Sequence, residues 1–152
     1  MKPTLDTFTR AYIQTALATS TEYKHGTCPC CEREALLSHF PEPEYTREAM
    51  CSECGVTEIA NPDPIDRNYS MDDLSPETLA RMVADCERFQ WEAVIAPHFD
   101  EAGADFWLTR NRHGAGFWDG DWPDSGEELT RIAHSFGECS LYAGDDGQLY
   151  LA

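Results

Sequence analysis

Four cysteines in two tight pairs carry the strongest chemical signal in the chain. They lie in Cys28-Pro29-Cys30-Cys31 and Cys51-Ser52-Glu53-Cys54-Gly55. Two residues between ligands let one turn of backbone present both sulfurs to one metal, and two such knuckles complete a tetrahedral Cys₄ site for zinc. Pro29 inside the first knuckle and Gly55 after the second suit tight turns. The set Cys28, Cys31, Cys51 and Cys54 leaves 19 residues between knuckles, room for a hairpin and a zinc-ribbon-like spacing. Cys30 could replace Cys28 or Cys31 only with awkward geometry and is read as free; His25 and His39 are the alternative ligands. Four thiolates close the coordination shell, which makes the zinc structural and not catalytic. A module with so little apolar material would draw most of its folding energy from the metal. The remaining cysteines, Cys86 and Cys139, read as small buried hydrophobes.

A second concentration of reactive groups runs from Thr109 to Asp119. His113 is a candidate general base, with Asp119 or Asp105 to orient it, and Arg110 or Arg112 could bind an anion. No nucleophile in a recognisable setting accompanies them, and there is no GxSxG, P-loop or HExxH. The simpler reading is a wide hairpin with an exposed histidine. Asp119, Asp121 and Asp124 resemble the start of a calcium loop, but Pro123 falls on the third ligand position and the EF-hand frame is absent. A solvated acidic turn that favours the N-terminus of the next helix fits them better. Trp107, Trp118 and Trp122 read as packing between sheet and helices, with Trp122 the candidate exposed anchor for a protein contact. Arg110, Arg112, His113, Asp119, Asp121, Trp122 and Asp124 are therefore the candidate partner-binding residues.

The elements that must position these groups are an α+β set. Phe8, Ala11, Tyr12, Thr15 and Ala16 predict an amphipathic helix over 5–20. Residues 23–62 change character, rich in Cys, Pro and Glu, and read as an inserted zinc-ribbon-like module. Residues 1–22 and 63–152 then form one discontinuous domain. Ser75-Pro76-Glu77 announces a second helix, running to about Ala96 before Pro97, with Leu79, Met82, Val83, Cys86 and Phe89 on its apolar face. By composition Phe106–Arg110 is a strand, Asn111–Gly114 a turn and Ala115–Trp118 the returning strand. Ser125 and Glu128 fit a capping box for a third helix, with Leu129, Ile132, Ala133 and Phe136 buried and Gly137 at its end. Ser140–Ala143 and Gln148–Leu151 flank Asp146-Gly147, the turn of a hairpin. The expectation is a small antiparallel sheet of two β-hairpins packed with about three helices.

Charge bounds the partners. The 152 residues carry 28 acidic and 11 basic side chains, a formal net charge of −17. Residues 100–152 alone hold 11 acidic and 3 basic groups. Such a field repels nucleic acid and anionic lipid and favours basic protein surfaces. No apolar run approaches the roughly 20 residues of a membrane span, and the start of the chain lacks the pattern of a signal peptide. With cysteines grouped for metal and not for disulfides, a cytoplasmic location is expected.

Asp105-Phe106-Trp107-Leu108-Thr109-Arg110-Asn111, His113-Gly114-Ala115-Gly116-Phe117-Trp118-Asp119 and Leu141-Tyr142-Ala143-Gly144-Asp145-Asp146-Gly147 resemble a family of small uncharacterised proteins encoded mainly by bacteriophages and prophages. Phe8–Ile13, Asn68-Tyr69 and Ser75–Leu79 look similar too. The resemblance covers roughly residues 5–22 and 64–151, so the Cys-rich module stands as an insertion. Arg112 occupies a turn position where the family often has a small residue. The resemblance implies a setting, a phage accessory protein in a host cell, and no particular chemistry. Together with the charge it makes a non-enzymatic protein that binds a host protein the leading expectation. Its sharper form is an anti-defence inhibitor acting as a DNA mimic. The alternatives are a small enzyme using the His113 hairpin and a structural or virion-associated component.

Overall fold

The computed structural model describes residues 4–20, 64–94 and 100–152, together with the backbone of four strands between Lys24 and Glu58. Helix α1 spans Thr7–Thr19. Strands β1 (Lys24–Thr27), β2 (Glu34–His39), β3 (Glu48–Cys51) and β4 (Gly55–Glu58) follow. Then come α2 (Pro76–Ala93), α3 (Asp100–Arg110), α4 (Gly126–Ser135), β5 (Leu141–Ala143) and β6 (Leu149–Leu151). The class is α+β, with antiparallel strands in two separate sheets.

Helix α1 starts at Asp6, whose carboxylate accepts the Thr9 N–H at 2.6 Å. It buries Phe8, Thr9, Tyr12, Ile13, Ala16 and Leu17. The buried stripe is therefore rotated from the expected one, and Ala11 and Thr15 sit at its margin. Helix α2 begins as its sequence dictates, with the Ser75 hydroxyl accepting the Thr78 N–H and Pro76 in the first turn. Thr78, Met82, Cys86 and Phe89 make its buried face. It ends at Ala93, short of the expected Ala96, because Val94 turns into the left-handed region at φ 54°.

The largest correction is α3. Phe106–Arg110, expected as a strand, forms the second half of a helix, and Ala115–Trp118 is turn and not a returning strand. Strand propensity is a weak prior that packing overrides. Ala102, Gly103, Phe106, Trp107, Thr109 and Arg110 are buried, a helical spacing and not an alternating one. Gly103 lets α3 lie close along α1, where a Cβ would collide with the Phe8 carbonyl. Residues 4–20, 64–94 and 100–152 thus hold four α-helices and one hairpin instead of two. The third expected helix is α4, but Ser125 makes no side-chain capping bond, so its capping box does not form.

The β5–β6 hairpin matches its sequence, pairing Leu141 with Leu151 and Ala143 with Leu149. Gly147 takes the positive φ of 78° that its turn requires. The Leu149 carbonyl accepts the Ser75 N–H at 3.0 Å, and the Thr78 hydroxyl accepts the Leu151 N–H at 3.2 Å, which fastens the hairpin to the start of α2. The core is a stack of aromatic rings. Phe89 and Phe106 face each other at 4.1 Å and 16°, flanked by Phe8, Tyr12, Phe117 and Phe136.

Strands β1 to β4 pair in chain order, all antiparallel. Lys24, Leu37, Cys51 and Gly55 lie in one line across this sheet. The β1–β2 connection leaves the sheet three residues beyond that line, at Thr27 and Glu34, and the β3–β4 connection leaves it in the same direction at Cys51 and Gly55. His39, opposite Ala49, lies toward the other end. Cys28, Cys30, Cys31 and Cys54 lie outside the described residues.

Candidate functional site

The charge of Arg110 is spent inside the protein. Only 2% exposed, its guanidinium donates to the Tyr12 hydroxyl at 2.7 Å and to Asp85 at 2.8 Å. It also donates to the Gly137 and Phe136 carbonyls at 2.9 and 3.2 Å. The side chain ties α1, α2 and α3 to the C-terminal end of α4. Expected as a surface contact, Arg110 is instead an internal tie, because the helix that replaced the expected strand turns it inward. Arg112 is exposed, in the left-handed region at φ 57°, and approaches Glu138 at 3.5 Å.

The two carboxylates expected to orient His113 are engaged elsewhere. Asp119 accepts the Gly116 N–H and Asp105 accepts the Trp122 indole N–H. His113 instead lines a cavity of about 160 Å³ with Asn111, Cys139 and Ser140. Burial lowers the pKa of His113 and raises that of Cys139. Both are neutral near pH 7, so the thiol is not a poised nucleophile. Asn111 is the organiser here: its amide donates to the Trp107 carbonyl and accepts the Cys139 N–H at 2.8 Å. No local pattern signals this partnership between residues 28 positions apart.

The rest of the expected partner-binding set forms one surface. The buried Thr109 hydroxyl accepts the Phe117 N–H at 3.0 Å, and Gly116 and Gly126 allow close approaches that a Cβ would block, at Thr109 and at the Phe117 carbonyl. These contacts seat Phe117 in the core and turn Trp118 outward, 55% exposed. Trp122, half-buried, meets the Phe117 ring edge-to-face at 5.6 Å and donates its indole N–H to Asp105 at 2.7 Å. Trp107 packs inside, its indole N–H donated to Thr19. Of the three tryptophans expected to pack the core, one does so fully.

No family model matches the chain, and no curated protein or solved structure matches it either.

Trp122 is a wall shared by two depressions. On one side Glu101, Ala104, Asp105 and Asp121 join it around a pocket of about 680 Å³. On the other, Phe117, Trp118, Pro123, Glu127 and Thr130 join it around a groove of about 380 Å³. Burial raises the Asp105 carboxyl pKa; the Trp122 hydrogen bond opposes this, and Asp119, Asp121 and Glu101 add to it. Between Gly114 and Thr130 the chain has five carboxylates and no lysine or arginine. Asp119, Asp121, Asp124 and Glu127 are all exposed. The fold thus brings the acidic first half of α3 against the acidic loop before α4, with two indoles set among the carboxylates. Among the described residues no group of three or more His, Cys, Asp or Glu side chains is arranged to hold a metal ion, and no helix is long and apolar enough to cross a membrane.

Proposed function

We propose that this protein is a non-enzymatic binding protein, a phage-type accessory factor that docks a host protein through the acidic, tryptophan-bearing surface of α3 and the loop before α4. The observation that carries this is the joining of Glu101, Asp105 and Asp121 around Trp122, with Trp118 exposed beside them. Interface anchors are typically aromatic, and charge complementarity speeds encounter and excludes wrong partners. The partner is a protein with a basic surface, and nucleic acid and membrane are not bound directly. If that surface is a DNA-binding groove, the carboxylates act as a DNA mimic and the protein as an anti-defence inhibitor.

The test is capture from bacterial host lysate with tagged protein at low and high salt, compared with a variant carrying Asp119→Asn, Asp121→Asn, Asp124→Asn and Glu127→Gln. One specific basic partner is expected, lost at high salt and lost in the variant. Retention that ignores both salt and these substitutions refutes the reading. Competition by duplex DNA separates the DNA-mimic form from a plain basic-surface contact.

The same reading gives the inserted segment a structural zinc held by Cys28, Cys31, Cys51 and Cys54. Its support is the strand topology: both CxxC sequences fall at connections that leave the sheet in one direction, offset by about 10 Å for three residues. His39, at the other end of the sheet, suits a ligand role poorly. Zinc would supply folding energy there and no chemistry.

A further inference from the structure

We propose that the groove between Trp118 and Trp122 seats a single cationic side chain, an arginine or lysine of the docked partner. This deepens the binding reading above and rests on it. A cation is drawn to the face of an indole, more strongly as the site is desolvated. Three aromatic residues, Phe117, Trp118 and Trp122, line the groove together with Glu127. Phe117 is fixed in the core, and Trp122 is held by Asp105 and by the Phe117 ring. Holding these groups in place before binding lowers the cost of ordering them. Trp118 is the exposed wall, and the backbone before it is set by the Thr109 and Asp119 hydrogen bonds at Phe117 and Gly116.

No lysine or arginine among the described residues lines the groove. Among the described residues, Arg88 lies over Phe136, and Arg110 over Phe106 and Phe136, while neither tryptophan carries a guanidinium. A purely apolar occupant fits less well. Glu127, at the start of α4, lines the groove, and Asp121 lines the pocket on the other side of Trp122, so an incoming apolar group would strip water from the Glu127 carboxylate without pairing it. A guanidinium or ammonium pairs with Glu127 and covers the indole at once.

The probe is a glycine–arginine repeat peptide, with the same peptide carrying citrulline in place of arginine as the neutral isostere. Binding is read by the indole N–H resonances and by titration. The arginine peptide is expected to bind and shift the Trp118 and Trp122 signals, and the citrulline peptide is expected not to. Trp118→Ala should weaken the arginine peptide about five- to tenfold, with an unchanged melting temperature because Trp118 is exposed, and Trp118→Phe should recover most of the loss. Equal binding by Trp118→Ala and wild type overturns the groove. If Asp121→Asn with Glu127→Gln still weakens the peptide in that case, the acidic docking surface stands without the groove. If neither change weakens binding, or the arginine peptide does not bind, both readings fall.

Discussion

Arg110 and Arg112 stand two residues apart and have opposite fates. The Arg110 guanidinium is shared among Tyr12, Asp85 and two carbonyls at the end of α4. Removing one partner of such a buried pair costs about 3–5 kcal/mol, because the other is left uncompensated. Arg110→Ala is expected to lose that much in urea unfolding, whereas Arg112→Ala, exposed and only loosely paired with Glu138, should stay within about 0.5 kcal/mol of wild type. His113 gives a pH signature. Burial holds its folded pKa below the usual histidine value. The folded state therefore binds a proton less readily than the unfolded one, and stability present above the unfolded pKa is lost as pH falls through the folded value. Melting temperature measured from pH 7.5 downward should drop less in His113→Gln than in wild type, and parallel curves would refute this.

At the scale of elements, α3 decides where everything else goes. Its packing along α1 depends on Gly103, where a Cβ meets the Phe8 backbone and not a side chain that can move aside. Gly103→Ala, ordinarily favourable in a helix, is expected here to destabilise by about 1–3 kcal/mol as an overpacking change. A gain in melting temperature would show that the two helices can separate at little cost. The helix was hidden because Phe106, Trp107 and Thr109 are good strand formers and because a buried arginine breaks the apolar stripe. Other elements were legible. Ser75-Pro76 starts α2 and Asp146-Gly147 turns the last hairpin because each rests on local backbone chemistry. Ser125 shows the limit of such signals, since its capping pattern is present and its capping bond is not.

The whole molecule joins a helical body with an acidic face to a segment whose order is proposed to depend on zinc. Thiolate ligation couples metal binding to folding. A strong chelator is expected to release one zinc per chain and to raise hydrogen exchange across residues 24–58, while leaving the aromatic core of α1 to α4 protected. A chain purified without zinc, or exchange unchanged by chelation, would remove the metal from the account. The net charge of −17 is evident from composition alone, and the proposed preference for a basic partner follows from it.

The amino-acid sequence by itself determined the α+β class, the acidity, the CxxC pairs, the start of α2 and the final hairpin. Each of these rests on composition or on contacts between residues close along the chain. Only the tertiary structure decided that Phe106–Arg110 is helix, that Arg110 is an internal tie, that His113 shares a cavity with Cys139, and that Trp118 is exposed beside a half-buried Trp122. Those outcomes depend on which distant surfaces pack together: α3 on α1, Thr109 on Phe117, Asp105 on Trp122. Local propensity does not encode such pairings, because the energy that selects them comes from burying the aromatic core as one unit.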